Sequence, residues 1–311
     1  MLDIALTTVP FFGLVLCGWI AARTRRLPAS SVAPLNGFVL WFALPAMLFR
    51  FVAETPVAAI LDPKVSLGYA ATGLLVYAAT AAVLRWRLAS GPVDAGFGAL
   101  AAAWPNWGYM GAGLLPALFG EPALAIMIAA GVMDLLVLMP LALLVSSRQQ
   151  GTSGATALVA GLKGVARNPL VLAIVTGLAF SLLRLRVPQP LDDFLRLLGS
   201  AAGPVALFAI GVFVYRPGPV RADSGSWFLV AVKLVVHPAL AWLIATAVGL
   251  DPDTVAVITL VAALPAAGTA FLFVERQGGN VDRVASAILL STAFSFVTIT
   301  LLTSWLGPAR G

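Results

Sequence analysis

The sequence predicts an all-α membrane protein with ten transmembrane helices, and composition, hydropathy and an internal repeat support this prediction. Of the 311 residues, 60% are hydrophobic and only 10% are charged, and the mean hydropathy is +0.99. A soluble chain of this size needs a more charged surface. A helix crosses a bilayer with about 20 largely apolar residues. Such segments fill nearly the whole chain, at about residues 3–22, 32–52, 65–84, 93–119, 122–145, 168–185, 193–214, 226–249, 253–275 and 284–306.

Prolines recur at a near-constant offset between segments that lie five apart. Pro10 matches Pro169 and Pro45 matches Pro204 at an offset of 159, and Pro105 matches Pro265 at 160. Because five is odd, the second copy enters the membrane from the opposite side, as in inverted-repeat transporters. We therefore expect one transporter domain, 1–311, with inverted repeats 1–146 and 168–311 and a cytoplasmic connector, 147–167. The alternative is chance recurrence in a proline-rich chain.

The basic residues follow the loops between the predicted segments. The pI of about 10.1 invites a nucleic-acid function, but the cations form no continuous patch, so no nucleic-acid partner is expected. With the N-terminus outside, twelve Lys or Arg residues fall on the inside and five on the outside. This bias predicts a multi-pass protein of the bacterial inner membrane with both termini periplasmic. Asp3 precedes the first apolar run and Arg23 follows it, which favours a retained helix over a signal peptide.

The fourth and ninth segments are interrupted at matching positions. Trp104-Pro105-Asn106-Trp107-Gly108 lies inside a run without charge, and Leu264-Pro265-Ala266-Ala267-Gly268-Thr269 lies inside the ninth segment. Proline and glycine break the helical ladder, and such backbone at membrane depth lines a cavity or is buried in protein. If the two interrupted segments cross at these positions, the half-helix that starts at each interruption points its free amides and the positive end of its dipole toward the crossing point. An anion can bind there. The predicted substrate-binding residues are Pro105, Asn106, Gly108, Pro265, Gly268 and Thr269; the alternative is a pair of ordinary kinks.

Four stretches resemble the auxin efflux carrier family, whose bacterial members include proposed malonate and malate carriers. They are NWGYMG at 106–111, Asn168-Pro169, KLVVHP at 233–238 and ERQGGN at 275–280. The resemblance covers essentially the whole chain, although the long cytosolic loop of the plant carriers is missing. It implies crossed fourth and ninth helices, a scaffold from the first, second, sixth and seventh, and transport of organic acids, in a fold that resembles bile-acid symporters and sodium–proton antiporters. It also implies that Asn106 matches an asparagine that contacts the substrate carboxylate.

Three ionisable residues fall well inside predicted segments, away from their ends, where an uncompensated charge is costly. Asp134 lies midway along the fifth, and Lys233 and His237 share one face of the eighth. We predict a proton-coupling group or a charge pair. The alternatives are that Asp134 bonds a polar side chain of the last segment, that Lys233 snorkels to the headgroups, and that His237 is a satisfied interior residue. The polar candidates for Asp134 are Ser291, Thr292 and Ser295.

The sequence therefore predicts a secondary active transporter of a small organic anion, working by alternating access and driven by protons or membrane potential. A sodium-coupled symporter of the same fold is an alternative, disfavoured because the ninth segment has only Thr259 and Thr269 as polar residues between Val255 and Val274. A membrane sensor that does not transport is a second alternative. A single histidine excludes a familiar metal or catalytic constellation, so we expect no enzyme, cofactor or metal. The bilayer is a partner, and Gly199 and Gly203 allow a homodimer seam.

Overall fold

A computed structural model describes residues 2–60, 62–147, 159, 163, 166–215, 222–276 and 278–307. Over these residues the chain is helical and forms no strand. Six of the described helices are long and apolar enough to cross a membrane. The all-α membrane class is therefore confirmed, while the count of ten spans and the inversion of the repeats stay predictions.

The elements of the first half follow the predicted segments, with two short helical turns at Ala29–Ser31 and Val57–Ile60 between them. The helices are α1 Leu2–Arg23, α2 Val32–Glu54, α3 Pro63–Trp86, α4 Pro92–Ala103, α5 Ala112–Phe119 and α6 Pro122–Val145.

The second half contains six more described helices. They are α7 Pro169–Leu182, α8 Gln189–Phe213, α9 Ser224–Ala247, α10 Pro252–Ala263, α11 Thr269–Arg276 and α12 Val281–Leu306.

Several helices of the second half begin at residues suited to a helix start. Asn168 caps α7 by accepting a hydrogen bond from the Leu170 amide at 2.9 Å, and Pro169 takes the first helical position. Asp251 caps α10 in the same way through the Thr254 amide at 3.0 Å. A cap oxygen satisfies an amide that lacks an intrahelical partner, and proline has no amide to satisfy. Local sequence thus sets these boundaries.

Three of the long helices contain a turn of π-helix that ends two residues before a proline. These turns are Val39–Ala43 before Pro45, Asp134–Leu138 before Pro140 and Val232–Val236 before Pro238. Proline removes one backbone donor, and a π turn lets the ladder rearrange around the gap. A fourth π turn, Trp107–Gly111, follows Pro105.

The chain divides into two compact units, each built from both halves of the sequence. Unit 1 comprises Met1–Asp62, Gly108–Ile128 and Ala166–Pro219, and contains α1, α2, α5, α7 and α8. Unit 2 comprises Pro63–Trp107, Ala129–Val165 and Val220–Gly311, and contains α3, α4, most of α6, and α9 to α12.

Helices α1 and α8 of unit 1 cross with their backbones in contact. A Cβ placed on Gly18 would collide with the carbonyl oxygen of Phe208, and one placed on Gly211 would collide with that of Val15. Only glycine permits such an approach.

The predicted dimer seam of Gly199 and Gly203 also packs inside unit 1. A Cβ on Gly199 would lie 3.0 Å from the Met47 backbone, and one on Gly203 would lie 3.4 Å from Gly113.

Candidate functional site

The two proline-centred interruptions pair with each other inside unit 2. Helix α4 ends at Ala103 and α10 ends at Ala263, and the backbone continues in an extended conformation at Trp104 (φ −96°, ψ 107°). The Asn106 amide donates to the Pro265 carbonyl at 2.8 Å, and the Ala267 amide donates to the Trp104 carbonyl at 3.1 Å. This short antiparallel bridge satisfies backbone groups that cannot reach water at membrane depth.

A third helix supports the bridge from the side. The amide of Ala266 donates to the hydroxyl oxygen of Ser291 on α12 at 3.2 Å. In an unbroken helix this amide would bond to the carbonyl of Ala262, four residues earlier. The interruption therefore frees the Ala262 carbonyl for another donor.

Asn106 is the polar side chain that enters the site from the first interruption. It is 4% exposed, and its Oδ1 has no hydrogen-bond partner among the described residues. A buried amide atom without a partner is uncommon in native proteins. Asn106 can therefore donate to and accept from a bound molecule without first breaking a bond made by its Oδ1.

The other predicted substrate-binding residues occupy different surroundings. Pro105 and Pro265 are buried in the bridge. Gly108 belongs to unit 1, where a Cβ would lie 3.2 Å from Leu44. Gly268 is exposed, and a Cβ there would meet no atom within 4 Å. Thr269 begins α11, but its side chain lies outside the described part of the structure.

Lys233 and His237 form a buried pair on α9. Lys233 Nζ lies 3.0 Å from His237 Nδ1 and donates to the freed carbonyl of Ala262 at 2.8 Å. The side chain of Lys233 is 1% exposed and points inward, so the snorkelling alternative is wrong. Because the last carbonyls of a helix carry a partial negative charge, the ammonium compensates the interrupted end of α10.

Asp134 opens the π turn of α6 and is 1% exposed. The hydroxyl of Tyr69 on α3 lies 3.5 Å from Asp134 Oδ2, and Asp134 Oδ1 has no partner among the described residues. The ring centroid of Tyr69 lies 6.3 Å from that of His237, so Tyr69 is near both Asp134 and the Lys233–His237 pair. An acidic group beside a phenol in this interior can gain or lose a proton inside the unit.

The polar residues predicted as alternative partners of Asp134 bond elsewhere. The hydroxyls of Ser291 and Thr292 donate to the Ile288 carbonyl at 3.1 and 2.7 Å, and that of Ser295 donates to the Thr292 carbonyl at 2.7 Å. All three hydroxyl groups donate to backbone carbonyls of α12, so none of them donates to Asp134.

Sequence reasoning missed Tyr69 and Trp107. Tyr69 is 1% exposed and supplies the hydroxyl beside Asp134. Trp107 is 2% exposed, and its indole nitrogen has no partner among the described residues. A phenol or indole in the middle of an apolar segment carries a polar atom that needs a partner, and this could have marked both residues.

No group of three or more His, Cys, Asp or Glu side chains that could hold a metal ion occurs within the described ranges. The polar groups at the interruptions are instead amides, an indole and an ammonium. These groups recognise ions and protons through hydrogen bonds and charge.

Comparison with known proteins places the chain in a family. The family model described as "Membrane transport protein" matches residues 4–303. The chain belongs to this family. The auxin efflux carrier family predicted from the sequence is thereby confirmed. The family and the transporters matched in it are not enzymes, so this membrane transport protein is not one either.

Three relatives illustrate the range of this membrane transport family. A proposed malonate transporter of Rhizobium meliloti (strain 1021) is 31% identical over 305 residues, covering 96% of this chain and 95% of the relative. A proposed auxin efflux carrier component 5c of Oryza sativa subsp. japonica is 25% identical, covering 87% and 88%. The lysosomal cholesterol signaling protein of Mus musculus is 28% identical, covering 74% of this chain but 28% of the mouse protein.

Proposed function

We propose that this membrane transport protein is a secondary active carrier of a small organic anion of the carboxylate class. It would be built from two inverted five-helix repeats. It would work by alternating access, in which one helix bundle moves against the other. The observation that carries the proposal is Asn106, buried beside the bridged interruptions with an unpartnered amide oxygen. Such a group is costly in apolar surroundings, and with its amide turned over Asn106 would present N–H donors to a carboxylate in place of the oxygen.

The chemistry of the second interruption supports an anion. Helix α11 begins at Thr269, directly after exposed Gly268, and its amino-terminal end carries the positive end of the helix dipole. Carboxylates bind at such ends, and the amide of Asn106 adds neutral donors. The substrate-binding set we propose is therefore the predicted one, with Asn106 making the specific contact.

The relatives support the carboxylate class. Malonate and auxin, which the names of the bacterial and plant relatives contain, are both small carboxylic acids. The two relatives cover nearly the full length of this chain at 31% and 25% identity. A recognition site shared at the interruptions would account for carboxylates of different size.

The buried cluster of Asp134, Lys233 and His237 supports coupling to protons or to membrane potential. A buried carboxylate beside a phenol can carry a proton across a conformational change, and a buried net charge makes that change sensitive to voltage. The position of Lys233 disfavours the sodium-coupled alternative. Its ammonium already donates to the carbonyl of Ala262, at the kind of half-helix end that coordinates sodium in other transporters.

We further propose the bacterial inner membrane as location, with both termini periplasmic, as the loop charges predict. A homodimer stays a prediction, and its proposed glycine seam is occupied inside unit 1. A non-transporting sensor is the second candidate, supported by the mouse relative whose name describes signalling.

Uptake into proteoliposomes tests the proposal. Purified protein is reconstituted, and accumulation of labelled malonate and indole-3-acetate is followed under a pH gradient, under a potential, and with sodium. Asn106→Ala should lower substrate affinity about 10- to 100-fold for each hydrogen bond lost to a charged ligand. The matched variant Ala266→Gly, on the paired interruption, should change it less than about five-fold, because it removes one methyl.

Three outcomes would contradict parts of the proposal. Binding without accumulation would identify a sensor, and accumulation that requires sodium would identify the sodium symporter. Equal affinity of Asn106→Ala and wild type would remove the interruptions as the substrate site.

A further inference from the structure

Trp107 presents a hydrogen-bond donor that nothing in the described structure accepts. The side chain is 2% exposed, and Nε1 lacks a partner among the described residues. An indole nitrogen can only donate, so it needs an oxygen or another acceptor. Buried indoles in proteins usually have one.

The indole is held in place by a glycine of α6. A Cβ built on Gly131 would lie 2.5 Å from Trp107 Cε2 and 2.8 Å from Cδ2, so the fused bond of the ring rests on the glycine backbone. Cε2 is bonded to Nε1. Because Gly131 has no side chain, the indole ring and its nitrogen can occupy this position.

This packing connects two parts of the proposed site. Trp107 directly follows Asn106, and Gly131 precedes Asp134 by three residues, so both α6 residues lie on one helix face. The indole thus packs on the face of α6 that carries the buried carboxylate. Asp134 Oδ1 and Trp107 Nε1 are each without a partner among the described residues, so they do not bond to each other.

We propose that Trp107 is a substrate-contacting residue whose indole N–H donates to an oxygen of the bound organic anion. The inference rests on the proposed function and adds a residue to its site. A carboxylate supplies the missing acceptor, and a hydrogen bond to a charged oxygen is stronger than one between neutral groups. The rest of the ring provides an apolar surface for the carbon skeleton of the ligand.

Trp107→Phe is the direct test, because it removes the N–H and keeps an aromatic ring. Binding of malonate, malate and indole-3-acetate to the purified full-length protein is measured by calorimetry. We expect the variant to bind the recognised anion about 10- to 100-fold more weakly. The control is Trp227→Phe, at a position 49% exposed, which loses an indole N–H without loss of affinity.

Gly131→Ala tests the same contact with the indole retained. The added methyl would displace the ring, so binding should weaken in the same direction. The double variant Trp107→Phe with Gly131→Ala should bind little worse than Trp107→Phe alone, because each substitution removes the same hydrogen bond to the anion. Full additivity would contradict the proposal.

An NMR measurement covers the case in which Trp107→Phe does not fold. In protein labelled with ¹⁵N-tryptophan, one of the eight indole N–H signals should move downfield on saturation with the anion, and Gly131→Ala should alter that signal. If no indole signal moves, the inference is wrong.

The remaining outcomes separate the inference from the function on which it rests. If the wild type binds none of the three carboxylates, the proposed function fails and the inference with it. If the wild type binds one and Trp107→Phe binds it equally, the inference alone fails. If affinity is unchanged but the pH profile of transport shifts, Trp107 influences proton coupling and is not a substrate contact, and the inference fails.

Discussion

The two units of the chain bury different kinds of side chain. Among the described residues, every buried polar or charged side chain belongs to unit 2, and those of unit 1 are apolar. The buried polar residues are Thr72, Thr80, Ser90, Asn106, Asp134, Ser226, Lys233, His237, Thr259, Ser286, Ser291, Thr292, Ser295 and Thr303. Unit 1 is thus stabilised by packing, and unit 2 encloses the hydrogen-bonding chemistry.

Charged side chains of unit 1 fit this contrast, because several of them line an open cavity. This cavity of about 640 Å³ includes Arg50, Glu54, Glu121 and Arg196 in its wall. Arg50 pairs with Asp192 at 2.6 Å and with Glu54 at 3.6 Å while a third of its side chain stays exposed. Charges that keep contact with solvent cost little, whereas those buried in unit 2 need partners.

The largest effect is expected from a methyl group at the tightest contact of unit 1. Gly18→Ala places a Cβ against the Phe208 carbonyl and forces α1 away from α8. Overpacking of this kind costs roughly 3 kcal/mol or more when the obstacle is backbone. Thermal unfolding in detergent measures it. Gly13→Ala on the same helix, where a Cβ meets nothing within 4 Å, is the control. Equal stability of the two variants would show that unit 1 does not depend on close packing.

Lys233→Met tests the polar interior of unit 2. Methionine has a similar length but leaves the Ala262 carbonyl and His237 Nδ1 without their donor. Each unsatisfied buried group costs about 1–3 kcal/mol. The same thermal measurement applies, with Lys163→Met at an exposed position as the control. A Lys233→Met protein as stable as wild type would mean that the ammonium does not stabilise the end of α10.

Asp134→Asn tests whether the cluster handles protons. The substitution keeps the size of the side chain but fixes its charge at zero beside Tyr69. We expect transport to continue with a flattened pH dependence. The ratio between the transport rates below and above the titration range of Asp134 should fall by about a factor of ten, which corresponds to about 1.4 kcal/mol. Asp253→Asn, at an exposed position at the start of α10, should retain the wild-type profile. An unchanged profile for Asp134→Asn would assign the proton to another group.

The smallest effect is expected at the surface of unit 2, at the ion pair of Asp223 and Arg283. Their closest approach is 2.7 Å, and the side chain of Asp223 is 42% exposed. Burial raises the pKa of Asp223, but hydrogen bonds from Arg283 and Ser226 outweigh it and hold the pKa below its ordinary value. A depressed pKa means stability that is present above the ordinary aspartate value and is lost as the pH falls through the lowered one.

Asp223→Asn should therefore cost less than about 1 kcal/mol at neutral pH and nothing in acid. Unfolding temperatures at the two pH values measure this difference. Asp251→Asn is the matched control, since Asp251 also caps a helix and lies in no ion pair among the described residues. Equal losses in both variants would assign the effect to helix capping.

Several residues of the site could be found from the sequence because their local context is unusual. Pro105 and Pro265 interrupt apolar runs, and an ionisable residue such as Asp134 is conspicuous in a membrane segment. The partners of these residues could not be found in this way. Tyr69 is 65 positions from Asp134 and Ala262 is 29 positions from Lys233. The π turns were also missed, because they depend on how the hydrogen-bond ladder adjusts around each proline.

The sequence by itself determined the all-α membrane class, the family and the positions where the helices are interrupted. These properties follow from hydropathy, from proline chemistry and from motifs that are local in the chain. Only the tertiary structure decided that the two interruptions bridge, that Lys233 serves the freed carbonyl of Ala262 and that Trp107 rests on Gly131. Each of these depends on contacts between segments distant in sequence. The physical reason is that an apolar interior requires every polar group to find a partner, and only the packed helices determine which partner is within reach.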